Sequence, residues 1–126
     1  MKGTKPHLVK DKGAISSNRA APSWMSNDAK AEWKRVFPSL VERRILTMAD
    51  LGGLENYCVA CGRVREIERA LQKGGIDPVL VRMQDKAMQT ARQLAAELGL
   101  TPVSRSRPSV RENDDEDDDD NPLNVS

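Results

Sequence analysis

The chain has 126 residues, of which 31% are charged and 3% aromatic, with a net charge of +1, two cysteines and one histidine. That length suits one small domain with a core of Leu, Val, Met and Ala, marginal alone and so inclined to oligomerise. No apolar run is long enough to cross a membrane and none has the form of a signal-peptide core, which predicts a cytosolic protein with both cysteines reduced.

The near-neutral total hides an asymmetry along the chain. Residues 1–23 carry +4, residues 24–104 carry +2, and residues 105–126 carry −5. A basic head suits a polyanion, and an acidic tail suits a basic partner or simple solubility. The expected organisation is therefore a flexible basic arm over 1–23, a helical domain over 24–104, and a disordered acidic tail over 105–126.

The arm is rich in Lys, Gly, Ser, Asn and Pro and shows no periodicity. Its cations Lys2, Lys5, Lys10, Lys12 and Arg19 can gain affinity for DNA by releasing counterions from phosphates, without reading sequence. The plain alternative is a solvated terminus. Ser26 then opens a helix as N-cap, with Asp28 in the first turn and Ala29, Trp33, Val36, Phe37 and Leu40 at helical spacing. Trp24, just before the cap, is placed to staple the chain onto this helix. Pro38 lacks an N–H and clashes one turn back, which predicts a break or kink just before it and a short extra turn over 38–46. Lys30, Lys34, Arg35, Arg43 and Arg44 lie on the polar side of this region. They are candidate DNA contacts because the basic arm adjoins them, with solvated surface as the alternative.

Thr47 to Lys73 reads as the long central helix, capped by Thr47 with Asp50 three residues on and stopped at Gly74-Gly75. At about 100° per residue its apolar positions form two patches. Leu51, Leu54, Cys58 and Cys61 make the first; Ala60, Val64, Ile67 and Leu71 make a second, rotated by about a quarter turn. The rotation predicts two different partners, the subunit's own chain for the first patch and a neighbouring copy for Val64, Ile67 and Leu71. One helix crossing two helices of the same domain explains the pattern equally. Arg65, Arg69 and Lys73 recur every four residues, either as a DNA-facing stripe or as solvated charges balanced by Glu66 and Glu68.

Asp77-Pro78 restarts a helix, with Asp as N-cap and Pro at the first position. Leu80, Met83, Ala87, Ala91, Leu94, Ala95 and Leu98 share a face, and Gly99, Leu100 and Pro102 end it. The short linker Gly74–Asp77 makes the two long helices an antiparallel hairpin. Beyond Ser104 the composition turns to seven consecutive acids, Asp114–Asp120, followed by Asn-Pro-Leu-Asn-Val-Ser. Leu123 and Val125 in that last peptide are candidate anchors for a protein partner.

Catalytic chemistry finds no footing. There is no phosphate-binding Gly-x-x-x-x-Gly-Lys-Ser/Thr loop. The single histidine, His7, lies in the arm, so no nucleophile in the folded part has a base. Cys58-Val-Ala-Cys61 lacks further ligands for zinc and sits mid-helix, unlike a redox motif. Buried small hydrophobes on one face explain the pair better. No metal, cofactor or enzymatic activity is expected.

Three blocks carry a family resemblance over about residues 20–108: Ala-Pro-Ser-Trp-Met-Ser with Ala29-Lys-Ala-Glu-Trp33; Ile45-Leu-Thr-Met-Ala-Asp50 with Leu54-Glu-Asn-Tyr-Cys58; and Glu97-Leu-Gly-Leu-Thr-Pro-Val-Ser-Arg105. In order and spacing they resemble the small terminase subunit of tailed bacteriophages, of the lambdoid type. This chain departs from that pattern in having Arg44 where relatives often have glycine, and a shorter loop at Gly74–Asp77. The resemblance implies a non-catalytic packaging factor in the host bacterial cytoplasm. Such a factor forms a homo-oligomeric ring and binds double-stranded viral DNA at the packaging start site. It also recruits and regulates the large terminase subunit, which holds the ATPase motor and nuclease. The predicted fold is all-α: a hairpin of two long helices preceded by a shorter one, assembling into a ring. The rival reading is a dimeric transcriptional regulator using the first helices as a helix-turn-helix.

Overall fold

A computed structural model of the chain describes residues 13–102. The elements they form are all helical: α1 (Asn27–Glu42), a single 3-10 turn (Met48–Asp50), α2 (Leu51–Gly74) and α3 (Pro78–Glu97). α2 lies in the middle, with α1 and α3 packed against it.

Each helix end is set by the residues beside it. Ser26 Oγ accepts from the Ala29 N–H at 3.2 Å and opens α1. The Asp50 carboxylate reaches back to the Thr47 N–H at 2.8 Å and to its hydroxyl at 3.0 Å. The first turn of the central helix is therefore tight 3-10, and the regular helix starts at Leu51 rather than directly after Thr47. Asp77 Oδ1 accepts from Val79 N–H at 2.8 Å and from Leu80 N–H at 3.4 Å, with Pro78 in the first turn. At the end of α3, Gly99 takes φ 75°, and the Leu100 N–H donates to Ala95 O at 2.8 Å while the Gly99 N–H donates to Ala96 O at 3.2 Å. This is the Schellman arrangement expected from Gly99-Leu100. α1 ends the same way, but with Arg44 at φ 57° in the left-handed position. Its N–H donates to Val41 O at 3.0 Å, and the Ile45 N–H reaches Leu40 O at 3.5 Å.

Three expectations are corrected. α1 does not break before Pro38; it continues to Glu42 with Pro38 inside. Pro38 and Lys34 lie on the solvent side, where water can serve the Lys34 carbonyl left without a donor. Phe37 and Leu40, both fully buried, hold the following turn against the core. The second correction concerns the chain before α1. Ala14 pairs with Thr47 as an isolated antiparallel bridge, the Ile15 N–H donates to Leu46 O at 2.7 Å, and Ile15 is buried. The Trp33 indole N–H donates to Arg19 O at 2.8 Å. Residues 13–23, read as part of a free arm, are therefore laid along the helices. Trp24, expected to staple the chain onto this helix, is 64% exposed, and it is Met25, beside it, that enters the core.

The core joins Ile15, Met25, Trp33, Val36, Phe37, Leu40, Leu46, Leu54, Tyr57, Cys58 and Ala95, with Trp33 and Phe37 stacked at 4.9 Å between ring centroids. It sits at the end of the molecule where α2 begins and α3 finishes. The crossing of α1 and α2 is close because Gly62 faces Ala29. A Cβ on Gly62 would lie 2.9 Å from the Ala29 nitrogen and 3.2 Å from Ser26 Oγ. Toward the hairpin tip packing thins, and Ile76 is 88% exposed. Val64, Ile67 and Leu71 are half-buried, and Gln84 Nε2 donates to Val64 O at 3.2 Å across the hairpin. Within one chain α2 thus meets both α1 and α3, which accounts for its rotated apolar patches. No helix among the described residues is long and apolar enough to cross a membrane.

Candidate nucleic-acid interface

The cations singled out in the sequence separate into two groups. The first is held by carboxylates and carbonyls of the same chain. Glu32, 1% exposed, is the centre of this group. Its carboxylate accepts from Tyr57 Oη–H at 2.6 Å, from Arg35 Nε at 3.0 Å, and from Arg65 Nη2 at 2.8 Å. Burial alone pushes this carboxyl up. The hydrogen bonds from Arg35, Tyr57 and Arg65 outweigh burial and hold it at about 2. Arg35 is raised in return, chiefly by its bond to Glu32. Tyr57 is raised by burial and then by the same carboxylate. One turn before Glu32, Asp28 pairs with Arg69. Arg65 and Arg69, expected as a free stripe or as partners of Glu66 and Glu68, instead bridge α2 to α1. Glu68 accepts from Gln84 at 2.9 Å and Gln72 at 3.0 Å. Arg43 Nη1 donates to Gly99 O at 2.6 Å, tying the end of α1 to the end of α3.

The second group is free of ion pairs among the described residues. Arg19, Lys30 and Lys34 surround a concave surface of about 690 Å³ between residues 18–23 and the solvent side of α1. Its apolar wall includes Ala20, Ala21, Trp33, Phe37 and Pro38, and no carboxylate lines it. The Trp33–Arg19 hydrogen bond builds this surface by fixing the extended segment beside α1. Arg44 and Lys73 are exposed elsewhere, at the turn after α1 and at the end of α2. Lys2, Lys5, Lys10 and Lys12 lie outside the described residues, as do Leu123 and Val125.

A second concavity, about 680 Å³, runs between α2 and α3 and includes Val59, Ala60, Ile67, Met83, Ala87 and Leu94. Met83 and Met88 of α3 are more than two-fifths exposed. Cys58 is buried and its thiol is pushed up to about 12, mainly by burial; Cys61 is raised for the same reason. Both are free thiols with little thiolate character at neutral pH. No group of three or more His, Cys, Asp or Glu that could hold a metal occurs among the described residues.

Sequence reasoning missed Glu32 and Tyr57. The signal was present: a lone glutamate inside the apolar stripe Ala29–Trp33–Val36–Leu40. Asp28 and Glu32 also repeat the four-residue spacing of Arg65 and Arg69, as two antiparallel helices exchanging ion pairs require.

No curated protein and no solved structure matches the chain. The family model described as phage terminase, small subunit, matches residues 29–115, which include nearly all of α1, the Glu32 cluster and the whole hairpin, and stop at the second residue of the acidic run. With that match over more than half its length, the chain belongs to the phage terminase small subunit family.

Proposed function

We propose that this subunit binds double-stranded viral DNA at the packaging start site and recruits and regulates the large terminase subunit, without catalysis of its own. Family membership supports a role in phage DNA packaging. The observation that carries the DNA-binding reading is the Arg19–Lys30–Lys34 surface, whose cations are gathered on one face and left without carboxylate partners among the described residues. Lys2, Lys5, Lys10 and Lys12, which precede Arg19 in the sequence, are included in this reading as further DNA contacts. Arg35, Arg65, Arg69 and Arg43 also bond within the chain, so this reading gives them a smaller share of the DNA contacts than Arg19, Lys30 and Lys34.

Assembly is read as a homo-oligomeric ring in the host bacterial cytoplasm. Its support is the open groove between α2 and α3, which Ile67 and Met83 line, together with the apolar exposed residues of α3 near the tip; Val64 and Leu71 are interface candidates from the sequence alone. A symmetric ring would multiply one basic face by the number of subunits. The lambdoid type rests on the three sequence blocks, and Leu123 and Val125 remain the anchors proposed for the large subunit. The dimeric regulator is not favoured by the family.

The test is the salt dependence of DNA binding. Neutralising Arg19, Lys30 and Lys34 together should flatten the slope of log K against log salt by about 2–3, since each phosphate contact contributes about 0.9. Neutralising Lys86 and Arg92 on α3 should leave it unchanged. Equal slopes for the triple variant and the native protein would refute the assignment.

A further inference from the structure

We propose that the acidic C-terminal segment of this chain docks on the Arg19–Lys30–Lys34 surface of its own subunit and competes there with DNA. The competition rests on the DNA-binding reading above; the docking does not. Charge is the first reason. The surface presents three cations and no lining carboxylate, while residues 112–120 hold eight acids. The acids are seven in a row from Asp114, the local charge density that a phosphate backbone also offers.

Shape is the second reason. The rest of the lining is mainly apolar, with Ala20, Ala21 and Pro38 beside the buried Phe37 and with Asn18 and Ser23 as its polar members, and the hollow has a volume of about 690 Å³. A phosphate backbone has nothing to place on such a floor. The acidic run, in contrast, is followed within five residues by Leu123 and Val125. One peptide can therefore set carboxylates against Arg19, Lys30 and Lys34 and an aliphatic side chain into the hollow between them.

Reach is the third. The described chain ends at Pro102, just past Gly99, and Gly99 O is bound by Arg43 at the end of α1. Lys34 lies nine residues earlier on the same helix, about 14 Å away along its axis at 1.5 Å per residue. The twelve residues from Pro102 to Asp114 span up to about 40 Å, so the acidic run reaches the surface with length to spare. A tether of this length gives an effective concentration in the millimolar range, sufficient for weak contacts to be occupied. The groove between α2 and α3 is the poorer host. Only Arg63 and Lys86 line it as cations, and its apolar character suits a second copy.

Zero-length carbodiimide coupling on the full-length protein, followed by peptide mapping, tests the docking. Residues 112–120 should be joined to Lys30 or Lys34, and this capture should vanish at 0.5 M salt. Failure to capture either lysine, or equal capture of Lys73 and Lys86, overturns the proposal. A full-length variant with Asp114–Asp120 changed to their amides tests the competition, since it leaves residues 13–102 unchanged. If the native surface is about 90% occupied by the tail, this variant should bind non-specific DNA about tenfold more tightly at low salt. Adding Lys30→Gln and Lys34→Gln should abolish that gain. A gain that survives those two changes places the tail elsewhere and overturns the proposal. Cross-links at Lys30 or Lys34 with no DNA binding by any variant would retain the docking and overturn the DNA reading instead.

Discussion

Glu32→Gln is the sharpest test of how the fold is held together. The substitution keeps the shape of the side chain and removes its charge from between Arg35, Arg65 and Tyr57. A buried carboxyl lowered from its ordinary 4.5 to about 2 contributes roughly 3 kcal/mol at neutral pH, at about 1.4 kcal/mol for each tenfold change in proton affinity. Removing one member of a buried pair costs about 3–5 kcal/mol when the other is stranded. Here Arg35 and Arg65 are 64% and 43% exposed and can rehydrate, so a loss of about 2–3 kcal/mol is expected. For a domain of this size that is a fall of roughly 10–20 °C in Tm. The pH dependence has a fixed sign. Glu32 is depressed in the folded state, so the unfolded chain takes up the proton first. Its contribution is full above about 4.5 and is lost as pH falls from there toward 2. Urea unfolding followed by helix signal, at fixed protomer concentration, should show the gap between native and variant at pH 7 and its narrowing below pH 4. A gap that stays constant down to pH 3, or no gap at pH 7, would refute the role given to the charge.

Four further outcomes follow from particular positions. Gly62→Ala should destabilise by about 1 kcal/mol, because its Cβ meets the Ala29 nitrogen at 2.9 Å and the overpacking outweighs the helix-propensity gain. Gly53→Ala, with open space around it, should stabilise by about 0.5 kcal/mol; thermal unfolding of the pair separates close approach from propensity. Arg44→Gly should raise stability by about 0.5–1 kcal/mol, because φ 57° is strained for arginine and free for glycine; an unchanged or lowered Tm would mean the Arg44 side chain contributes more than the strain. Ile67→Asp, on the open α2–α3 groove, should dissociate the proposed oligomer with helix content nearly intact; full-sized particles in sedimentation would place this residue outside the subunit interface.

The helix number, the hairpin and most helix ends were legible because their causes are local. Ser26, Asp77-Pro78 and Gly99-Leu100 act on backbone groups within a few residues, so the sequence window contains both donor and acceptor. The stripe of apolar residues on α1 likewise follows from spacing alone. Tertiary structure decided the rest. Pro38 is tolerated because Phe37 and Leu40 are anchored in a core assembled from other elements. Residues 13–23 are placed by Leu46, Thr47 and Trp33, which lie far along the chain. The fate of each arginine depended on the same geometry. Arg65 and Arg69 look like surface charges until α1 is laid antiparallel across α2, which Gly62 permits at Ala29. Only then do Asp28 and Glu32 come within reach. A charge becomes structural or available according to what packing brings within about 4 Å of it, and that distance is set by residues remote in sequence.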